Sequence, residues 1–244
     1  MTTANESSAT PAGSGLRGVI TDWGGVLTNP VAEAVNAWLE LELIDRHGYQ
    51  EVMRPWVVRA YDGSADHNSA DHNSADHNKA GDNPVHRLER GDGDPAEFER
   101  ELAGRLRRTD GAAVQADGLL SRMFAATVTV PAMYDLMRSL RASGIRTCLL
   151  SNSWGNNDYP RDAFPELFDA WVISAEVGMR KPEERIFRHA ARLLGLPPSQ
   201  CVFIDDIEAN VAAATALGMT GVHHRDPAAT AAAIAGLLGL RPLT

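Results

Sequence analysis

VFIDDIEANVAAA, residues 202–214, is an apolar run that stops at two adjacent carboxylates, Asp205 and Asp206, and passes at once into alanine-rich, helix-like sequence. A short apolar run bounded in this way reads as a strand buried on both faces. Four other runs share the pattern: RGVITD (17–22), IRTCLLS (145–151), AWVIS (170–174) and TGVHH (220–224). The first is followed by the pair Gly24 and Gly25, which marks a tight loop. Strands alternating with helices of this length predict an α/β fold with a parallel sheet covered on both faces. Such sheets collect ligands beyond the carboxyl ends of their strands, where Asp22, Ser151, Asp205 and Asp206 all fall.

Between the first and second of these runs the pattern changes. Residues 30–127 hold amphipathic segments, VAEAVNAWLELEL, YQEVMRPWVVRAY, PAEFERELAGRLRR and ADGLLSRMF, and no convincing strand. This predicts a helical domain inserted into the core, which is then formed by residues 16–29 and 128–244. Within the insert, SADHN recurs three times over residues 64–78. Its period fits neither helix nor strand and its composition buries no core, so a disordered loop is expected over about 62–83. Residues 1–15 are polar, without a cationic segment or apolar stretch, and read as a flexible tail.

Composition narrows the function. Cys148 and Cys201 each sit in a strand-like run and read as small core residues rather than a redox pair. With no run of the length a membrane helix needs, this predicts a cytoplasmic protein without a membrane partner. The net charge of −9 repels phosphate backbones and argues against nucleic acid. The same field repels a phosphorylated small molecule, so such a substrate requires a local cluster of cation, metal and backbone N–H groups.

Four segments offer that cluster. In TDWGGVLT, Asp22 ends a strand at a glycine loop, placed to attack phosphorus and hold an acyl phosphate. In LLSNSWGN, the Ser151 hydroxyl and nearby N–H groups can bind phosphoryl oxygens. In VGMRKPEERIF, Lys181 supplies an ammonium for charge compensation, and Pro182 reads as a first helical residue with Glu183 and Glu184 at the positive helix terminus. Asp205 and Asp206 form a hard oxygen site suited to Mg²⁺. Trp38, Trp56 and Trp154 read as core rather than pocket lining, and His223 and His224 as structural or exposed residues.

In this order, with 30 residues from Ser151 to Lys181 and 24 from Lys181 to Asp205, the segments resemble the four motifs of the haloacid dehalogenase-like hydrolase superfamily. DWGGVLT, LLSNSWG, MRKPEERIF and IDDIEAN are similar to the phosphatase-like amino-terminal domain of soluble epoxide hydrolases. The resemblance implies a Rossmann-like core with an inserted helical cap, and a Mg²⁺-dependent phosphatase acting on a small phosphorylated substrate. It implies Asp22 as nucleophile and metal ligand, the Gly24 carbonyl and Asp206 as further ligands, and Asp205 acting directly or through a water. Ser151 and the Asn152 backbone would hold the phosphoryl group, Lys181 would pair with Asp22, and Asn210 would brace the loop. The family's phosphatases usually carry a second aspartate where this chain has Gly24, a general acid that glycine cannot replace. Two alternatives follow: carbon–halogen hydrolysis, which needs neither that acid nor the cation, and a phospho-ligand or protein-binding role without turnover.

Overall fold

In the computed structural model, residues 15–61, 83–155 and 159–240 are described, with the side chains of 58–61 left aside. The amino-terminal tail up to residue 14 and the SADHN repeat lie outside the described residues. Five parallel strands make the sheet: β1 (Gly18–Thr21), β2 (Arg146–Ser151), β3 (Ala170–Ile173), β4 (Cys201–Asp205) and β5 (Thr220–His223). Their order is β3-β2-β1-β4-β5. The chain builds outward from β1 on one side and then returns to build on the other, so the strand order switches between β1 and β4.

Both faces of the sheet are dry, and the two-residue period of a strand explains how. Along β1, Val19 joins one apolar cluster with Leu149, Val202 and Ile204, while Ile20 joins the other with Cys148, Leu150, Cys201 and Phe203. The cysteines are free and buried, as expected of core residues.

Helices α1 (Val31–Leu41), α2 (Arg46–Tyr61), α3 (Pro84–Glu89), α4 (Pro95–Arg105) and α5 (Leu119–Met123) separate β1 from the remainder. They are followed by α6 (Pro131–Ala142), α7 (Phe164–Leu167), α8 (Ser174–Val177), α9 (Glu184–Leu193), α10 (Glu208–Ala216) and α11 (Pro227–Leu238). Residues of α6, α7 and α11 cover one sheet face; residues of α9 and α10 cover the other. The first five helices instead gather around an apolar cluster of their own, built on Trp38, Leu39, Phe98, Leu102, Leu119 and Met123. Asn83 and Asp94 cap α3 and α4 by accepting from Val85 N–H and Ala96 N–H, each with a proline as first helical residue. Among the described residues no helix is long and apolar enough to cross a membrane.

Two local readings change. Pro182 is not in a helix: α9 begins at Glu184, and the Glu183 N-cap makes no side-chain cap because its carboxylate accepts from Arg90 and Arg185. Ser174 opens α8 instead of ending a strand, and its hydroxyl accepts from Ser153 N–H at 2.8 Å.

Candidate active site

Three neighbouring strands deliver the site. In the β1–β4 register Thr21 pairs with Ile204, and Asp22 N–H continues the ladder by donating to the Ile204 carbonyl at 2.9 Å, which sets Asp22 beside Asp205. Ser151 ends β2 on the other side of β1. This is the switch point of the strand order, the place where open parallel sheets bind ligands.

Lys181 joins the carboxylates. It is 1% exposed, and its Nζ lies 2.8 Å from Asp22 Oδ1 and 2.7 Å from Asp205 Oδ2. The Asn152 side chain clamps its backbone, accepting from Lys181 N–H at 2.8 Å and donating to the Lys181 carbonyl at 3.1 Å. Asp205 also accepts from Ile207 N–H at 2.8 Å and, on both oxygens, from Asn210 Nδ2 at 3.1 Å. Its hydrogen-bonding capacity is thus largely taken up inside the protein. Asp22 Oδ1 accepts from Trp23 N–H at 2.7 Å as well as from Lys181, while no hydrogen bond among the described residues engages Oδ2.

Oxygen atoms of Asp22, Asp205 and Asp206 lie within 4.8 Å of one another. One ammonium faces three carboxylates. Burial pushes Asp22 up to about 8; Lys181 opposes this, and Asp205 and Asp206 reinforce it. Burial and then the Asp205 charge push Asp206 up to about 6. Lys181 shifts further up, because the two carboxylates outweigh its desolvation. A divalent cation fits this donor set: it would relieve the excess negative charge and return both carboxyls to the ionised form.

The glycine loop has two different glycines. Gly25 has φ +75°, and a Cβ there would lie 2.1 Å from Asp206 Oδ2, so any side chain would invade the carboxylate cluster. Gly24 has no such conformation, and a Cβ there would meet Val31 Cγ2 at 3.0 Å.

Residues 16–218 match the haloacid dehalogenase-like hydrolase family, most of the 244-residue chain. The chain belongs to that family. This hydrolase is 30% identical over 117 residues to bifunctional epoxide hydrolase 2 of Rattus norvegicus, covering 45% of the chain and 21% of that protein. It is 33% identical over 110 residues to a sesquiterpene phosphatase of Aspergillus oryzae, covering 44% of the chain and 56% of the relative. Each match therefore spans between a fifth and just over half of the relative's length. In fold, the hydrolase is similar to a haloacid dehalogenase family enzyme of Bacteroides thetaiotaomicron in complex with magnesium and inorganic phosphate. That likeness has a TM-score of 0.58 at 22% identity and covers 86% of this chain and 94% of the other.

Beside the hydrolase's carboxylates the structure adds one residue without a sequence signal, Tyr159. The Tyr159 hydroxyl lies 2.9 Å from Ser151 Oγ, and burial pushes its pKa up to about 12, so it stays protonated. Tyr159 packs edge-on against Trp23 and Phe164. His223 Nε2 is 3.0 Å from the Asp206 carbonyl oxygen, whereas His224 is buried against Thr230. Asp162 lies on an exposed turn. Of the tryptophans, Trp38 is core, Trp56 stacks on Phe98, and Trp154 reaches from the loop after Ser151 to Phe98 and Phe124.

Proposed function

We propose that the hydrolase is a Mg²⁺-dependent phosphatase acting on a small phosphorylated metabolite through an aspartyl-phosphate on Asp22. The observation that carries this reading is the cluster of Asp22, Asp205 and Asp206, two of which pair with the buried ammonium of Lys181. Asp22, the Gly24 carbonyl and Asp206 would hold the ion, with Asp205 acting mainly through Lys181, which it anchors. When bound, the cation supplies charge neutralisation for nucleophile and phosphoryl group.

The chain's own groups then account for both half-reactions. Asp22 attacks phosphorus through its unengaged Oδ2, the bond from phosphorus to the leaving oxygen breaks, and the carboxylate becomes an acyl phosphate. Lys181 offsets charge spreading over the transferring group, and Ser151 Oγ with the Asn152 N–H grips phosphoryl oxygens. Water then attacks the same phosphorus, the bond from phosphorus to the Asp22 oxygen breaks, and the carboxylate is restored while the water's two protons leave on the released inorganic phosphate. Because Gly24 offers no proton, leaving groups that are stable as anions, such as aryl or acyl, are cleaved best. The similarity to a phosphatase of sesquiterpenes supports phosphate chemistry. Carbon–halogen hydrolysis would leave three clustered carboxylates without a purpose.

The test is phosphate release from a panel of aryl, acyl and alkyl phosphates during a Mg²⁺ titration, for the wild type and Asp22→Asn. Mg²⁺-dependent release that disappears in the variant supports the reading. Halide release from 2-haloacids, or phosphate-ester binding without turnover, would replace it.

A further inference from the structure

Lys181 is held on the side facing the helical insert as well as by Asn152. The residue before it, Arg180, forms an ion pair with Glu89 at the last position of α3, and both are buried, at 4% and 0% exposed side chain. Two residues beyond it, Glu183 pairs with Arg90, the C-cap of α3, at 2.6 Å. The two pairs bracket Lys181 from adjacent residues of one helix end. Just beyond, the chain touches the core at backbone level: Gly91 has φ +73°, and a Cβ there would lie 2.2 Å from the Ala175 carbonyl oxygen in α8.

Separating the members of a buried ion pair is costly, so the Glu89 contact ties Arg180 to the end of α3. The short chain from Arg180 to Glu183 passes the constraint to Lys181, whose Nζ must reach Asp22 and Asp205 together. We propose that Glu89 and Arg90 are positioning residues for Lys181, so that the core's ammonium is set correctly only while the helical insert is seated on the core. This rests on the reading of Lys181 as a catalytic group.

The test uses the full chain with p-nitrophenyl phosphate at saturating Mg²⁺, together with amide hydrogen exchange over residues 178–185 and over β1 as reference. Glu89→Gln and Arg90→Ala are expected to lower kcat by about 10- to 100-fold with KM little changed, the scale of a misplaced catalytic group. Exchange over 178–185 should quicken while β1 stays protected. Arg90→Lys, which keeps the charge, should recover most of the loss. Variants that melt earlier yet keep wild-type kcat and exchange would overturn the proposal. If Glu89→Gln fails to fold, the half-exposed Arg90 pair decides alone. Lys181→Ala separates the two claims: wild-type turnover in that variant rejects the catalytic reading, whereas loss of turnover there with unchanged kcat in Arg90→Ala rejects only the bracket. If the wild type releases no phosphate, exchange decides, and unchanged exchange in Arg90→Ala overturns the anchoring.

Discussion

The sheet and the helical insert bury their apolar residues by different periods, and this changes what the chain order reveals. In the sheet, successive residues alternate between two clusters, and each strand ends at the same edge, so a reactive side chain at a strand end has only one place to go. In the insert, apolar stripes on α1, α4 and α5 meet in one cluster, but the polar face of each helix has no preferred destination. Chemistry concentrated along one edge can therefore be recognised from linear motifs. Contacts across the insert cannot, and they govern how that chemistry is held.

Changes at the strand edge should act on turnover, and the largest effect is expected at the glycine loop. Gly24 has no left-handed backbone and only the Val31 methyl near its missing side chain, so Gly24→Asp requires that exposed side chain to shift slightly and is expected to fold and supply a proton donor. Alkyl phosphatase activity should rise by up to roughly 10²- to 10⁴-fold, read from a leaving-group series. A folded variant with an unchanged series would show that another residue already supplies the proton. Gly25→Ala is the contrasting control, because its Cβ would collide with Asp206 and should abolish Mg²⁺ response. Next, Lys181→Ala should lower kcat by about 10²- to 10³-fold, as for loss of one preorganised charge-stabilising group. Near-normal kcat would assign charge compensation elsewhere.

Changes inside the apolar cluster of the insert, away from the α3 end that meets Arg180 and Glu183, should act on stability. Leu102 is fully buried in the insert cluster, and Leu102→Ala should cost about 2–5 kcal/mol by denaturant unfolding. At a temperature where the variant remains folded, kcat should change less than for Lys181→Ala; an equal loss would erase the distinction between the regions.

The smallest effect links the two readouts. Without cation, Asp22 and Asp206 have folded pKa values raised from 3.8 to about 8 and about 6, so the folded chain holds those protons more tightly than the unfolded chain. Their contribution is present below pH 4 and declines as pH rises through 6 and 8. Mg²⁺ binds the ionised forms, so its increase of the melting temperature should be larger at pH 8 than at pH 5. An equal increase at both would place its binding away from these carboxylates.

How far the chain could be read follows from the same difference. The ends of β2 and β4 at Ser151 and Asp205, and the meeting of Asp22 with Asp205 and Asp206, follow from apolar runs that stop at charged or hydroxyl residues, whereas Lys181 ends no such run and its pairing with Asp22 is implied only by the family resemblance. The start of α9 was misplaced by two residues because Pro182 is a favourable opener, while the contact that draws Glu183 away comes from Arg90, 93 positions earlier. In the sequence Gly24 and Gly25 read alike as one tight loop, because only backbone angles show which of two neighbouring glycines is irreplaceable. Tyr159 carried no signal at all: it meets Ser151 from eight positions beyond the end of β2, outside any strand or helix period.

The most direct measurement is the mass of the peptide containing Asp22, isolated by acid quench during turnover of an aryl phosphate with Mg²⁺. The expected result is one phosphoryl group on Asp22, removed by hydroxylamine and absent from Asp22→Asn. Phosphate release by Asp22→Asn at the wild-type rate, or a phosphoryl group found on a different residue, would contradict an aspartyl-phosphate mechanism at this site.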